Sequence, residues 1–351
     1  MRCLCVLCVS PGSLPDLGRK ESRIPVLLVQ NPGYQNGSFQ HSIQQPLGGG
    51  AALDFCSGWD VILPAGWSMA FWVALVYRGA KAVGLREQRS LAFEAGDLMF
   101  PDCCPDTPSG AKMSCSRAVE LRSAYNRRPP AKRCNYNKMG VVTPFHCPWL
   151  ELVQGWMQSC CDEKNEQLFY CVRNRKLLQL LNNACSGKSS RSKSCGQNRS
   201  ANAGISATLQ QCGPAIIKVM VVMFGRGAPN QFALICLPTK EDMLDYTCRK
   251  KLGRGRVEGP TEPLHHKASN SEAGGLNPVS VLGSTVRPTI GLVVEGGFSH
   301  AAARGIGVGF VSVLGLKKLL EEKRDGAGCT TVLVRCTHSL QYRPAQLHVV
   351  V

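Results

Sequence analysis

Acidic residues are scarce in this sequence, which has 24 Asp and Glu residues against 41 Lys and Arg residues. The carboxylates that are present do not form the clusters that bind metal ions in hydrolytic sites. This scarcity argues against a self-contained metal-dependent hydrolase. The formal net charge of +17 favours a polyanionic partner instead, since basic surfaces bind nucleic acid by releasing its counterions.

The sequence also lacks the regular cysteine spacing of a disulfide-bonded secreted protein. It has 19 cysteines, an odd number, and the adjacent pairs Cys103–Cys104 and Cys160–Cys161 have poor disulfide geometry. Cys5 and Cys8 form a C-x-x-C pair, but no second pair follows at the spacing of a zinc site. We therefore predict reduced thiols in a cytosolic or nuclear protein, and no metal site.

No apolar run has the length and continuity expected of a transmembrane helix. The nearest candidate, Val61 to Tyr77, is at the lower limit of length and contains Pro64 and Gly66. We predict that this segment is a buried strand–turn–helix or strand–turn–strand and that the protein has no membrane span. The N-terminal residues lack the small-x-small cleavage site of a secretory signal.

Complete catalytic motifs are missing as well. The segments GWSMA, with Ser68, and GFSHA, with Ser299, each lack the final glycine of the serine-hydrolase motif G-x-S-x-G. His300, beside Ser299, is interpreted as a local polar contact. The glycine-rich segment at Arg304 to Phe310 matches neither a P-loop nor a dinucleotide-binding motif. We predict no catalytic residues and no cofactor.

The apolar segments that are present predict an α+β fold, in two mixed α/β domains joined by a flexible basic linker. The expected limits are 1–22 for a leader, 23–157 for the first domain, 158–210 for the linker and 211–351 for the second domain. The second domain has a loose insertion at about 249–288. Basic residues of the linker region, which support non-specific contact with a polyanion or act as a solvated tether, are Arg173, Arg175, Lys176, Lys188, Arg191, Lys193 and Arg199.

Individual elements follow from periodicity and turn residues. A strand is predicted at Ile24–Gln30, a helix at Ser114–Tyr125 that ends before two prolines, and a short strand within Val141–Trp149. Ala215–Phe224 and Gln231–Leu237 are predicted to be strands joined by an irregular hairpin. The C-terminal block is predicted to alternate strand and helix over Thr289–Val294, Gly307–Leu320, Thr331–Arg335 and Gln346–Val351.

The strongest positive signal is the segment NRRPPAKRCNYNK, from Asn126 to Lys138. Five of its 13 residues are Arg or Lys and none is acidic. Its two consecutive prolines predict an extended backbone, which can follow a chain of phosphates at low entropic cost. Tyr125 and Tyr136 are suited to stacking on bases or riboses. The alternatives are a nuclear-localisation signal or a solvated loop, but the position inside a structured region favours a binding surface.

Several motifs, in order, carry a family resemblance. SGWDVILPAGWSMAFWVALVYRGAKAVGLRE at Ser57–Glu87 is followed by FPDCCPD, RRPPAKRCNYNKMG and TPFHCPW, and the tail contains GLVVEGGFSHAAARGIGVGF and VLVRCTHSLQYRPAQLHVV. These segments resemble the largest protein subunit (Pop-one, with its POPLD segment) of eukaryotic nuclear ribonuclease P and ribonuclease MRP. The basic N-terminal half of that family has no counterpart here, so we expect the C-terminal half only.

The resemblance implies a non-catalytic, RNA-binding scaffold in precursor-tRNA 5′-leader removal and precursor-rRNA processing, in the nucleus and nucleolus. Its implied partners are the ribonuclease P and MRP RNAs and the other protein subunits, with precursor tRNA contacted indirectly. The catalytic magnesium ions would belong to the RNA subunit, so the enzyme would be an RNA-catalysed endoribonuclease. The family has also been likened to the aminomethyltransferase fold, which carries no activity by itself.

The RNA-binding candidates combine the basic segment with flanking cations and residues of the tail. They are Arg127, Arg128, Lys132, Arg133, Tyr136, Lys138, Arg78, Lys81, Arg86, Arg335, Tyr342 and Arg343. Two alternatives stay open. One is a folate-dependent enzyme of aminomethyltransferase type, for which no folate-binding acid stands out. The other is a protein-interaction fragment whose basic loop serves nuclear import.

Overall fold

The structure, a computed structural model, describes residues 24–31, 58–160, 168–186, 208–210, 212–243, 259–263, 281–322 and 330–351. The predicted leader, the basic residues from Lys188 to Arg199 and most of the predicted insertion lie outside these residues. Within them, no helix combines the length and the apolar character that crossing a membrane requires. The chain divides between Gly84 and Leu85 into two compact units, and each is described by itself.

The first unit contains a two-stranded antiparallel sheet and one helix. Strand β1 (Leu27–Asn31) pairs with β2 (Gly58–Ile62), with Leu27 opposite Ile62. A turn containing Gly66, at φ 90°, leads into helix α1 (Ser68–Tyr77). The strand–turn–helix prediction is confirmed. The predicted burial is wrong for the described residues, because α1 has no buried residue and Trp59 is 60% exposed.

The second unit contains the remaining helices and a seven-stranded sheet, so the predicted α+β class is confirmed. The helices are α2 (Leu85–Glu94), α3 (Pro108–Arg127), α4 (Trp149–Cys160), α5 (Arg175–Ser186) and α6 (Val313–Glu322). The strands are β3 (Tyr170–Cys171), β4 (Ala215–Met223), β5 (Leu234–Cys236), β6 (Thr289–Ser299), β7 (Arg304–Ser312), β8 (Thr331–Arg335) and β9 (Tyr342–Val349).

Six of these strands close into a barrel. The order is β3-β4-β7-β6-β5-β8-β9, and β9 also pairs with β4, with Val221 opposite Leu347. Every pairing within the barrel is antiparallel, and β3 adds to β4 in parallel. Closure leaves these six strands without a free edge.

Helix α4 covers part of the outside of the barrel. The Trp156 indole donates to the Thr289 carbonyl oxygen at 3.0 Å, and the rings of Trp149 and Phe310 meet edge to face at 5.5 Å. Strands buried on both faces carry continuous apolar runs, and all five residues of β8 are buried. Residues 85–160 belong to the same compact unit as the barrel. The sequence prediction had placed 23–157 in a first domain and 211–351 in a second.

Three element predictions are wrong. Strands β4 and β5 do not form a hairpin, because β4 pairs with β7 and β9 while β5 pairs with β6 and β8. The predicted helix at Gly307–Leu320 is strand β7 as far as Ser312, and helix α6 starts only at Val313. The segment Val141–Trp149 contains no strand and leads directly into α4.

A buried histidine in β9 makes stability depend on pH. The side chain of His348 is 4% exposed, and neither ring nitrogen has a hydrogen-bond partner among the described residues. Burial lowers its pKa from 6.5 to about 4, because desolvation disfavours the charged ring. As the pH falls, the histidine of the unfolded chain takes up a proton near pH 6.5, whereas that of the folded protein does so only near pH 4. Protonation therefore favours the unfolded state, and we expect the free energy of unfolding to fall by about 3 kcal/mol between pH 6.5 and pH 4.

Chemical denaturation at closely spaced pH values would measure this loss. The variant His348→Leu cannot take up the proton and should lose the pH dependence between about pH 6.5 and 4.5. His300→Gln, at an exposed position, is the matched control and should keep it. Equal pH dependence in the His348→Leu variant and the unaltered chain would show that His348 is not its source.

Candidate nucleic-acid interface

Helix α3 carries the basic segment at its C-terminal end. The helix begins at Pro108 because Thr107 caps it, with its hydroxyl oxygen accepting from the Gly110 N–H at 3.2 Å, and proline suits the first helical position. It ends at Arg127 because Pro129 and Pro130 follow. The predicted helix at Ser114–Tyr125 is thus longer at both ends.

Ion pairs fix α3 to the sheet of the same unit. Arg117 on α3 donates to both carboxylate oxygens of Asp102, at 3.1 and 2.9 Å. Arg89 on α2 donates to Asp102 at 2.8 Å and also lies 3.0 Å from Glu295 on β6. One carboxylate thus joins both helices, and Arg89 links them to the barrel. Arg117 lies in the middle of α3, so these ion pairs anchor the body of the helix to the barrel.

The basic turn, defined as Arg127 to Lys138, is only partly extended. Arg128 and Pro129 have extended backbone, at ψ 143° for both, as predicted from the proline pair. Pro130 to Lys132 then form one turn of 3-10 helix, so the chain folds back instead of continuing straight. The turn is compact and presents its side chains outward from the end of α3.

Arg133 ties the two ends of this fold together. Its guanidinium donates to the carbonyl oxygens of Arg128 at 2.7 Å and of Asn126 at 2.5 Å. These carbonyls lie at the end of α3, where they lack helical partners and where a cation is favoured. Arg133 was predicted to contact RNA, and in the structure its Nε and Nη2 groups donate to the protein's own backbone.

Three aromatic rings form the base of the turn. Tyr125, Tyr136 and Phe145 contact each other pairwise, with ring centroids 5.4 to 5.7 Å apart. The Tyr125 hydroxyl donates to the Cys134 carbonyl oxygen at 2.7 Å. Burial raises the pKa of Tyr136, and the charge of Arg128 lowers it in part. The Tyr136 hydroxyl therefore stays protonated at neutral pH and can donate a hydrogen bond.

A buried arginine supports the far end of the turn. Arg335 on β8 is fully buried and donates to the carbonyl oxygen of Met139 at 2.8 Å, one residue after Lys138. Its guanidinium lies 5.6 Å from the ring centre of Tyr342, whose hydroxyl donates to the Glu262 carboxylate at 2.7 Å. Strand β8 of the barrel thus holds the chain just after the basic turn through a charge-assisted hydrogen bond.

The remaining cations of the turn are free for a ligand. Arg127, Arg128, Lys132 and Lys138 are exposed, and within the described residues their side chains make no ion pair or hydrogen bond. Four positive charges therefore lie on one short, internally braced segment. This arrangement can bind closely spaced phosphates. Because the backbone is already braced, only the four cationic side chains would have to become ordered on binding.

Two family profiles match the sequence, the POPLD (NUC188) domain at residues 58–149 and the POP1 C-terminal domain at residues 215–277 and 272–351. The Homo sapiens protein named ribonucleases P/MRP protein subunit POP1 is 29% identical over 455 residues, covering 96% of this chain and 43% of that protein. The Caenorhabditis elegans subunit popl-1 is 26% identical over 263 residues, covering 74% and 30%. The Schizosaccharomyces pombe subunit pop1 is 35% identical over 118 residues, covering 32% and 17%.

The chain belongs to the POP1 family. The resemblance inferred from the sequence motifs is confirmed. The chain spans less than half the length of the curated relatives it matches. The POPLD match runs from β2 to the first residue of α4 and contains the whole basic turn, while the POP1 C-terminal match contains β4 to β9 and so the whole barrel.

The other predicted RNA-binding residues of this POP1-family chain are scattered. Arg335 and Tyr342 are fully buried, so they support the surface and do not form it. Arg343 is exposed, and its guanidinium donates to the Arg226 carbonyl oxygen at 2.5 Å. Arg86 is exposed on α2, and Arg78 and Lys81 are exposed in the first unit.

The serine near-motif in β6 has a structural role. Ser299 is fully buried, and its hydroxyl donates to the carboxylate of Glu94 at 2.5 Å. The same carboxylate accepts from the backbone N–H groups of His300 and Ala301, at 2.9 and 3.2 Å. Glu94 therefore closes the turn between β6 and β7. The polar contact of His300 with Glu94 is made by its backbone N–H.

Sequence reasoning missed the polar residues around Tyr136. Asn135 and Asn137 flank it, and Asn135 accepts from the Lys138 N–H at 3.1 Å through its side-chain oxygen. It also missed the bracing role of Arg133 and the support from Arg335. The alternation of asparagine and tyrosine in CNYNK is the one signal that could have drawn attention to this site.

Proposed function

We propose that this chain is a non-catalytic, RNA-binding scaffold of the ribonuclease P and ribonuclease MRP ribonucleoproteins. The observation that carries the proposal is the basic turn: four unpaired cations on a braced segment within the POPLD match. The relatives' names, which describe subunits of ribonucleases P/MRP, support the assignment. Its role would be in precursor-tRNA 5′-leader removal and precursor-rRNA processing.

The basic turn is suited to phosphates that lie on a folded RNA. Arginine binds phosphate through two parallel N–H groups, and Arg127 and Arg128 are adjacent at the end of α3. Lys132 and Lys138 add two exposed point charges, four positions before and two positions after Tyr136 in the sequence. Because Arg133 and Arg335 fix the backbone, binding would cost little loop entropy and would place the RNA firmly on the barrel.

The proposed partners are the ribonuclease P and MRP RNAs and the other protein subunits of these complexes. Precursor tRNA would be contacted indirectly, and the protein would act in the nucleus and nucleolus. The RNA would hold the catalytic magnesium ions. This chain would brace the folded RNA through the turn, with the closed barrel as a rigid support.

Recovery of RNA with the protein tests this proposal. The tagged chain would be isolated from nuclear extract and the recovered RNA sequenced, with an unrelated basic protein of similar net charge as control. We expect enrichment of the ribonuclease P and MRP RNAs over the control. If a folded chain enriches neither RNA above the control, the proposed scaffold role is contradicted.

A further inference from the structure

An open depression lies beside the basic turn. Its volume is about 470 Å³, within the range of roughly 300 to 1,000 Å³ that is usual for small-molecule pockets. The rings of Tyr125 and Tyr136 line it, and so do Pro130 and Pro144. The depression therefore offers aromatic and apolar walls within the basic turn, and Arg133 is the cation among its lining residues.

The polar groups around the depression are suited to the edge of a base. Asn135 and Asn137 line it, and the amide of Asn137 has no partner within the described residues. The side-chain oxygen of Asn135 accepts from Lys138, which leaves its amide hydrogens available. The hydroxyl of Tyr136 also has no partner in the described part of the chain. Asparagine amides and a phenol offer donors and acceptors side by side, as a nucleobase edge does.

The walls of the depression are held in place before any ligand arrives. Tyr136 packs against both Tyr125 and Phe145, with ring centroids 5.5 and 5.7 Å away. The backbone N–H of Val141 donates to the Tyr136 carbonyl oxygen at 3.0 Å, which closes the loop behind the ring. A preformed aromatic surface loses little freedom when a base stacks on it.

The free cations flank the depression along the chain. Arg127, Arg128 and Lys132 precede Tyr136, and Lys138 follows it. Arg133, whose guanidinium lies 5.8 Å from the ring centre of Tyr125, also lines the wall. A nucleotide whose base entered the depression would have cations available for its own phosphate and for a neighbouring one.

We propose that this depression takes a single unpaired base of RNA, in a bulge or loop, while the flanking phosphates contact the basic turn. The proposal rests on the proposed function and specifies the RNA element that the site recognises. Bases in a continuous A-form duplex are stacked and paired, so they cannot enter a pocket. An unpaired nucleotide can be turned out of the helix, stacked on an aromatic ring and hydrogen-bonded along its edge.

Two RNA hairpins, identical except for one bulged nucleotide, test the proposal with the full chain. The bulged position carries 2-aminopurine, whose fluorescence changes on stacking, and affinity is measured by anisotropy at one salt concentration. We expect the bulged hairpin to bind about tenfold more tightly, because one base stacked on an aromatic ring contributes that much. The fluorescence of the bulged base should change on binding.

Variants at the depression separate base binding from phosphate binding. Asn137→Ala removes an exposed amide without a partner, and Tyr136→Leu keeps the apolar contact but removes the aromatic ring. Both should bring the ratio of the two affinities, bulged over paired hairpin, close to one. Asn183→Ala, at an exposed position on α5, is the control and should leave the preference intact.

Each outcome decides between the two proposals. Equal affinity for both hairpins, with unchanged 2-aminopurine fluorescence, would overturn the base pocket while leaving RNA binding by the turn in place. Binding of neither hairpin would contradict both the base pocket and the proposed function. A bulge preference that survives in both Asn137→Ala and Tyr136→Leu would place the recognition outside this depression.

Discussion

A chain carrying Arg127→Glu and Arg128→Glu is expected to bind ribonuclease P or MRP RNA about tenfold to a hundredfold more weakly than the unaltered chain. Both side chains are exposed at the end of α3, and neither has an ion-pair partner among the described residues. The substitution removes two positive charges and adds two negative ones. Attraction to two phosphates is therefore replaced by repulsion.

The salt dependence gives a second, independent readout. Each phosphate contact contributes roughly 0.7 to 0.9 to the slope of log affinity against log salt, so losing two contacts should reduce the slope by about 1.4 to 1.8. Titration of labelled RNA at four or more salt concentrations measures both the affinity and the slope. A structural disturbance of the turn would lower affinity without this defined change in slope.

A matched control separates the turn from net charge. Lys240→Glu with Arg304→Glu makes the same change in net charge at two exposed positions of the same unit, away from the turn in sequence. This variant should bind RNA within a few-fold of the unaltered chain. An equal loss in both double variants would mean that total charge, and not the basic turn, determines affinity.

The basic turn was largely predictable because its signals are local. The charges and the two prolines are read directly from the sequence, and prolines end helices by a local steric effect. The fold-back of Pro130 to Lys132 was not predictable in the same way. It accompanies the bonds of Arg133 to the carbonyl oxygens of Asn126 and Arg128, which form only in the folded turn.

Arg335 shows why the tail residues were harder to assign. An arginine near the end of a strand is usually exposed. The residues next to Arg335 in the sequence do not show that the segment containing Met139 covers strand β8. In the structure Arg335 donates to the carbonyl oxygen of Met139, which lies 196 positions earlier in the sequence. Contacts of this separation have no local signal, so burial of the arginine could not be inferred.

The same limit applies to the barrel. Apolar periodicity located its strands approximately, but the pairing of β4 with β9 and of β5 with β8 joins distant parts of the chain. A hairpin between β4 and β5 was the natural expectation, since strands adjacent in sequence usually pair. The α+β class is confirmed, whereas the likeness to the aminomethyltransferase fold stays a prediction.

The first unit reverses the usual rule about apolar residues. The apolar segment Val61–Tyr77 was predicted to be buried, yet in that unit Met69 and Trp72 are 66% and 51% exposed. Composition predicts that such residues tend to be buried but does not identify what buries them. A two-stranded sheet with one short helix has too few layers to cover its own apolar side chains.

The barrel should be highly sensitive to a side chain at Gly309 in β7. A Cβ atom there would overlap the Leu292 carbonyl oxygen of the neighbouring strand and lie 2.8 Å from the Cα of Val293. Both obstacles are backbone atoms, so no side-chain rotation can relieve the overlap. The strands β6 and β7 would have to separate where Gly309 lies opposite Val293. We expect Gly309→Ala to lower the free energy of unfolding by about 3 to 5 kcal/mol, measured by chemical denaturation.

Gly297→Ala is the matched control, because it makes the same chemical change in the same pair of strands. A Cβ at Gly297 would lie 3.7 Å from the ring of Phe93, an ordinary packing distance, so this variant should lose less than about 1 kcal/mol. Alanine restricts the unfolded chain equally in both variants, which cancels that contribution from the comparison. Equal stability of the two variants would mean that β6 and β7 do not approach as closely as the closed barrel requires.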